Sequence, residues 1–247
     1  MVSELAKAGL EYSFVAAVDD REPDLRGSDS VHPSYLERSD WRPGRIGNGL
    51  SHLRAYEQIL ADGHDRALVL EDDVTLSPDL VGLLDTLQEH LTEAEVALLH
   101  FDSHNVCRLS NESAVRLPGS RSLVLPIDLS VPVGGAAYVI TRAACERMSK
   151  TILPIRAHSD DWLYWHNQGA LDRVRCVFPH AVAKDPGFES TIDYSAPTSP
   201  KAKVRKAIGR LPLASQAISY RRRSIWRKWT RVEFVDQPFG NEPSRLK

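Results

Sequence analysis

No stretch of this 247-residue chain approaches the ~20 consecutive apolar residues needed to cross a bilayer. The longest candidate, Val131 to Ile140, is interrupted by two glycines. The N-terminus, Met-Val-Ser-Glu-Leu-Ala-Lys-Ala-Gly, lacks the apolar centre of a signal peptide, which argues against export. Cysteine is scarce: Cys107, Cys145 and Cys176 lie far apart with no Cys-x-x-Cys pair. That excludes a disulfide frame or a zinc site and points to reduced, buried thiols in a cytosolic protein. No internal repeat and no recognisable nucleic-acid module occurs, so nucleic acid is not an expected partner.

What is present is an ordinary globular composition, 42% hydrophobic and 26% charged, enough to bury one good core. The net charge of −2 hides a division. Residues 201–231 carry eleven Lys and Arg and no acid, whereas residues 1–200 hold 18 basic against 30 acidic side chains. We therefore expect a body over 1–195 and a basic amphipathic tail over 196–247. In the tail, Val204, Ile208, Leu211, Ile225 and Trp226 interleave with the cations, and Pro212 divides any helix. Such segments suit an anionic membrane surface, where each cation near the headgroups is worth about 1 kcal/mol. The plainer alternative is a solvated tail lying loosely on the acidic body.

Along the body, apolar runs alternate with helical periodicity. Tyr12 to Val18 reads as a buried strand, and residues 21–45 as a long loop. Leu50, Leu53, Tyr56 and Leu60 recur at helical spacing up to Asp62-Gly63. Ala67 to Leu70 is a short strand, followed by a helix with Ser77 as N-cap and Pro78 in its first turn. Glu95 to Phe101 is the next strand, 103–121 reads as loop, and Val131 to Ile140 as strand. Thr141 caps a helix over Arg142 to Lys150, a third helix covers about Ser159 to Gly169, and Arg173 to Phe178 is a late strand. The alternation predicts an α/β fold with a mostly parallel sheet.

Two clusters could carry chemistry. Glu71-Asp72-Asp73 follows the strand at 67–70 directly, at the end of the strand where α/β sheets bind ligands. Adjacent carboxylates repel, and Mg²⁺ or Mn²⁺ would neutralise them while leaving positions for substrate phosphates. On spacing alone, a metal site and a solvated acidic turn stand equally open. The second cluster is Asp160-Asp161-Trp162 with Trp165. A carboxylate there could act as general base, or both aspartates could simply cap a helix. Trp162 and Trp165 read as core.

The segments Arg45-Ile46-Gly47-Asn48-Gly49-Leu50-Ser51-His52, Leu70-Glu71-Asp72-Asp73-Val74, Gly135-Ala136-Ala137-Tyr138 and Ser159-Asp160-Asp161-Trp162-Leu163, in that order, resemble glycosyltransferase family 25. That family includes bacterial lipooligosaccharide galactosyltransferases and collagen galactosyltransferases. The resemblance spans roughly residues 5–195 and implies a GT-A-type nucleotide-sugar fold, Mn²⁺ or Mg²⁺ dependence and inverting transfer. It implies donor-binding roles for Ser51, His52, Glu71, Asp72 and Asp73, with Asp73 and Glu71 as metal ligands. Asp160, or its neighbour Asp161, becomes the base. His52 could instead be a helix histidine satisfied by a neighbouring carbonyl. Asn48 stands where the family usually has cysteine, and His180 also departs from its pattern; neither change touches an obvious catalytic group.

The expected activity is transfer of a hexose, galactose from UDP-galactose, onto a cell-surface or lipid-linked glycan at the inner face of the membrane. A non-catalytic glycan- or nucleotide-binding relative is the alternative, and a metal-dependent phosphohydrolase a third. Family members open with a strand and an Asn-Leu-Asp-Arg-like turn before the helix matched by Leu5 to Leu10. We expect that strand, central to the sheet, to be encoded upstream of Met1.

Overall fold

The computed structural model describes residues 2–19, 29–37, 43–103, 106–185 and 229–232. Its elements run α1 (Val2–Ala8), α2 (Pro33–Leu36), α3 (Pro43–Ala61), β1 (Arg66–Leu70), β2 (Val74–Leu76), α4 (Leu80–His90), β3 (Glu95–Leu98), β4 (Cys107–Leu117), β5 (Arg121–Pro126), β6 (Ala137–Thr141), α5 (Arg142–Thr151), α6 (Trp162–Asn167), β7 (Arg173–Phe178), β8 (Val182–Lys184) and β9 (Trp229–Val232). Seven strands form one mixed sheet in the order β1-β6-β3-β7-β5-β4-β9, and β2 pairs with β8 apart from it.

The expectation of a mostly parallel sheet is corrected. Among the described strands of this sheet only β3 and β7 run parallel, with Val96 opposite Val174; the other five pairings are antiparallel. Helix–strand alternation predicts parallel neighbours only if each strand returns by a crossover. Here β6 inserts between β1 and β3 running against both, and β4 and β5 are the arms of a hairpin.

Helices cover both faces, which is why β1 is apolar at every position of Ala-Leu-Val-Leu. Ala67 and Val69 pack on a core built by Leu53, Tyr56, Met148, Trp162 and Trp165. Leu68 and Leu70 face the other core, with Leu5, Leu80, Leu83 and Leu87. Yet β1 lies at the end of the sheet, and its residues 67–70 are only half-buried.

Three further expectations are revised. Tyr12–Val18 joins no ladder among the described residues: Phe14 is 65% exposed and only Val18 of the run is buried. Its backbone is held instead by α3, through Val18 N–H to Ser51 Oγ (2.9 Å) and Arg54 to the Ala16 carbonyl (3.3 Å). A compact apolar run cannot by itself supply a pairing partner, and this one finds none among the described residues. Residues 103–121 contain β4 and the start of β5 rather than loop. Cys107–Ser110 is buried, while most of the following arm is exposed, which explains its polar sequence. Helix α4 begins at Leu80, past Ser77, and Asp79 at its N-cap position is drawn away by an ion pair with Arg121.

Other readings hold. Thr141 caps α5 by accepting the Ala144 N–H, at 3.3 Å. The three cysteines are free and buried, and burial pushes the Cys107 and Cys145 thiols up to about 12. Among the described residues no helix is long and apolar enough to cross a membrane.

Candidate functional site

The end of β1 is fixed to its surroundings before any ligand arrives. Glu71 N–H bonds the Ala136 carbonyl at 2.8 Å, tying the acidic turn to the loop that precedes β6. Its Oε1 accepts from Asn48 Nδ2 (3.3 Å) and lies 3.9 Å from His52 Nε2. His52 is buried on α3, with Nδ1 2.7 Å from the Tyr138 hydroxyl, which lies 3.0 Å from that of Tyr56. The histidine is therefore satisfied by a hydroxyl rather than a carbonyl, and its second nitrogen faces a carboxylate. Burial pushes the Glu71 carboxyl up, but His52 and Asn48 outweigh it and hold the group below its ordinary value. A Cβ at 135 would lie 3.2 Å from His52 Nε2, so any side chain there would press on the histidine.

Asn48 proves to be more than a neutral departure. While its amide reaches Glu71, its carbonyl oxygen accepts the Ser159 hydroxyl, so one side chain joins the three segments at 48, 71 and 159. Ser51, in contrast, is occupied by backbone, donating to the Gly47 carbonyl at 2.7 Å and accepting from Val18.

Asp72 is exposed and Asp73 half-buried. Asp73 Oδ1 is buried with no hydrogen-bond partner among the described residues, and burial together with the Glu71 charge raises its pKa. An orphaned carboxylate oxygen beside a second carboxylate is a deficit that a cation would fill. Among the described residues, no group of three or more His, Cys, Asp or Glu side chains is arranged to cage a metal. Mg²⁺-type sites commonly use only one or two carboxylates plus substrate phosphates, so Asp73 and Glu71 fit that kind of site.

Three residues that sequence reasoning missed complete the rim. Asp102 lies beyond β3, its backbone bonded both ways to Val133 (2.7 and 3.0 Å). Its carboxylate meets Lys184 Nζ at 2.7 Å and His100 Nε2 at 3.6 Å. Burial raises the Asp102 pKa, but these two partners override it and hold the group well below the usual carboxylate range. His100 is anchored by Nδ1 to the Val182 carbonyl at 3.0 Å. Asp102 had a readable signal: it follows the apolar run ending at Phe101 as Glu71 follows Leu70.

Gly134, at φ 104°, joins the two acidic regions. Its N–H donates to Asp160 Oδ2 at 2.9 Å, while the preceding Val133 is bonded both ways to the Asp102 backbone. Asp160 thus stands at the rim, whereas Asp161 caps α6 by accepting the Tyr164 N–H at 3.2 Å. Trp162 and Trp165 are core, as expected, with indole N–H groups bonded to the carbonyls of Gly134 (3.3 Å) and of His158 and Ser159 (both 3.1 Å). Of the basic tail only Trp229–Val232 is described, as the edge strand beside β4; residues 186–228 and 233–247 lie outside the described residues.

A family model described as glycosyltransferase family 25 (LPS biosynthesis protein) matches residues 1–163, a stretch that includes Glu71–Asp73 and Asp160–Asp161. No curated protein matches the chain.

Proposed function

The chain belongs to glycosyltransferase family 25, and from that premise we propose that it is an inverting hexosyltransferase taking galactose from UDP-galactose to a lipooligosaccharide-type glycan. The observation that carries this reading is the meeting of separate motifs at one rim: Asn48 bridges Glu71 and Ser159, and the 133–134 segment joins Asp102, through the Val133 backbone, to Asp160, through the Gly134 N–H.

Asp160 is the acceptor's base in this reading. Its carboxylate takes the proton of an acceptor hydroxyl while that oxygen attacks the anomeric carbon from the face opposite the diphosphate. The new glycosidic bond forms as the bond to the phosphate oxygen breaks, so the anomeric centre inverts and UDP leaves. The Gly134 N–H fixes one carboxylate oxygen of Asp160 and orients the other. Asp73 and Glu71 would hold Mn²⁺ or Mg²⁺, which when bound offsets the charge of the departing diphosphate. His52 and Asn48 keep Glu71 ionised and in place.

Residues 201–231 would carry the protein to an anionic membrane surface; flotation with anionic liposomes, lost on deleting 200–247, is the expected result, and equal binding by both forms would refute it.

The activity is tested by incubating the full chain with Mn²⁺ and a panel of sugar nucleotides, measuring nucleoside diphosphate release with and without acceptor glycans. Acceptor-stimulated UDP release from UDP-galactose is expected. Binding with no release from any donor would mark a non-catalytic relative, and inorganic phosphate release a phosphohydrolase.

A further inference from the structure

The charge balance of the rim contains a cation that the chain supplies itself. Strand β8 pairs antiparallel with β2, setting Lys184 opposite Val74, and Asp185 N–H bonds the Asp73 carbonyl at 2.7 Å. Lys184 is thereby fastened beside the acidic turn by backbone geometry. Its Nζ reaches Asp102 Oδ2 at 2.7 Å, and both side chains remain about half exposed, 45% and 49%. Behind Asp102 stands His100 Nε2, buried and without a hydrogen-bond partner among the described residues. Lys184 thus pairs with Asp102 while its backbone is fastened beside the acidic turn, one ammonium set between two strand ends.

We propose that Lys184 is the resident cation of this rim, paired with Asp102 and fastened beside the Glu71–Asp73 turn, so that a divalent ion at that turn binds against its charge. Two observations favour this over a bare surface ion pair, which would be worth little. The Lys184 backbone is fastened beside Asp73 by the β2–β8 pairing and the Asp185 N–H bond. The Lys184 ammonium is also exposed enough to turn from Asp102 toward an incoming anion. If the donor reading is right, that anion is the diphosphate of the sugar nucleotide, and the inference rests on that reading for this last consequence only.

The test is Mn²⁺ binding by the full chain without nucleotide, followed by electron paramagnetic resonance at fixed ionic strength, for wild type, Lys184→Gln and Lys184→Arg. Removing the positive charge fastened beside the acidic turn should tighten Mn²⁺ binding about tenfold in Lys184→Gln, a value between the limits for bulk water and for a partly screened site. Lys184→Arg keeps the charge and should match wild type. Thermal unfolding of the three proteins checks that the half-exposed position tolerates both changes. Equal Mn²⁺ affinity across all three, including no binding by any, overturns the proposal. UDP release assays on the same proteins separate it from the donor reading. A persistent Mn²⁺ shift without turnover on any donor sinks the donor reading and leaves Lys184 standing; turnover without the shift does the reverse.

Discussion

Glu95 opens β3 and Asp102 lies just beyond its end, yet the protein treats the two carboxylates in opposite ways. Glu95 is fully buried, with Arg173 Nη1 at 2.7 Å and Arg175 Nη2 at 2.6 Å. Arg175 is itself buried and also donates to the His90 carbonyl at 2.5 Å. That charge is neutralised permanently, inside the protein, by side chains of β7. At the far end Asp102 is half exposed, its partners are Lys184 and a histidine, and Asp73, past the end of β1, keeps a buried oxygen unpartnered among the described residues. Charges closed off at one end of the sheet hold the fold; charges left exchangeable at the other are available to a ligand.

Exchanging charge for amide at each end should separate the two roles. The largest effect is expected from Asp160→Asn. An Asn oxygen can still accept the Gly134 N–H, so position is kept while basicity is lost. Turnover should fall about 10²- to 10⁴-fold with donor KM little changed and the unfolding midpoint preserved. Wild-type turnover by a folded variant would remove Asp160 from the chemistry. At the other end, Glu95→Gln should leave turnover at low temperature within about twofold but strand Arg175 as a buried, unpaired cation. The cost is about 3 kcal/mol, at the lower end for breaking a buried pair, and it should lower the thermal midpoint by roughly 6–12 °C for a chain of this size. Similar melting of both variants would dissolve the distinction between the ends.

The same contrast governs what could be read from the sequence. Elements that need only themselves were legible: the apolar 67–70 strand, the Thr141 cap and the tryptophans of the 159–169 helix announce burial or capping through local chemistry. Elements that need a distant partner were not. Tyr12–Val18 has a strand's composition and no ladder, while β4 has a loop's composition and pairs with both β5 and β9. The acidic turn and Asp160 were visible because the motifs hold them. Asp102 and Lys184, more than eighty positions apart, meet only through the Val133 bridge and the β2–β8 pairing. The bridging role of Asn48 is not legible in sequence because its two partners, Glu71 and Ser159, come from other segments.

The smallest expected effect concerns acid stability, and it belongs to the open end. The His180 ring packs 4.6 Å from Phe101 and 4.8 Å from His100, centroid to centroid. Burial, with the neighbouring His100 charge adding to it and Asp102 opposing, lowers its pKa from 6.5 to about 3. Between those values the unfolded chain takes up a proton that the folded chain refuses. This contribution to stability is therefore complete above about pH 6.5 and is lost as pH falls toward 3. Each pH unit in that window is worth up to about 1.4 kcal/mol, so wild type should lose about 1 kcal/mol between pH 7.5 and pH 5.5 through this residue alone. Phenylalanine suits the aromatic surroundings, with Phe178 6.1 Å away on the third side, and cannot take up the proton. His180→Phe should flatten the acid limb of a urea-unfolding series across that range while leaving the Glu95 end untouched. If both proteins lose stability equally between pH 7.5 and pH 5.5, the acid sensitivity arises elsewhere, and the ring at 180 is packing alone.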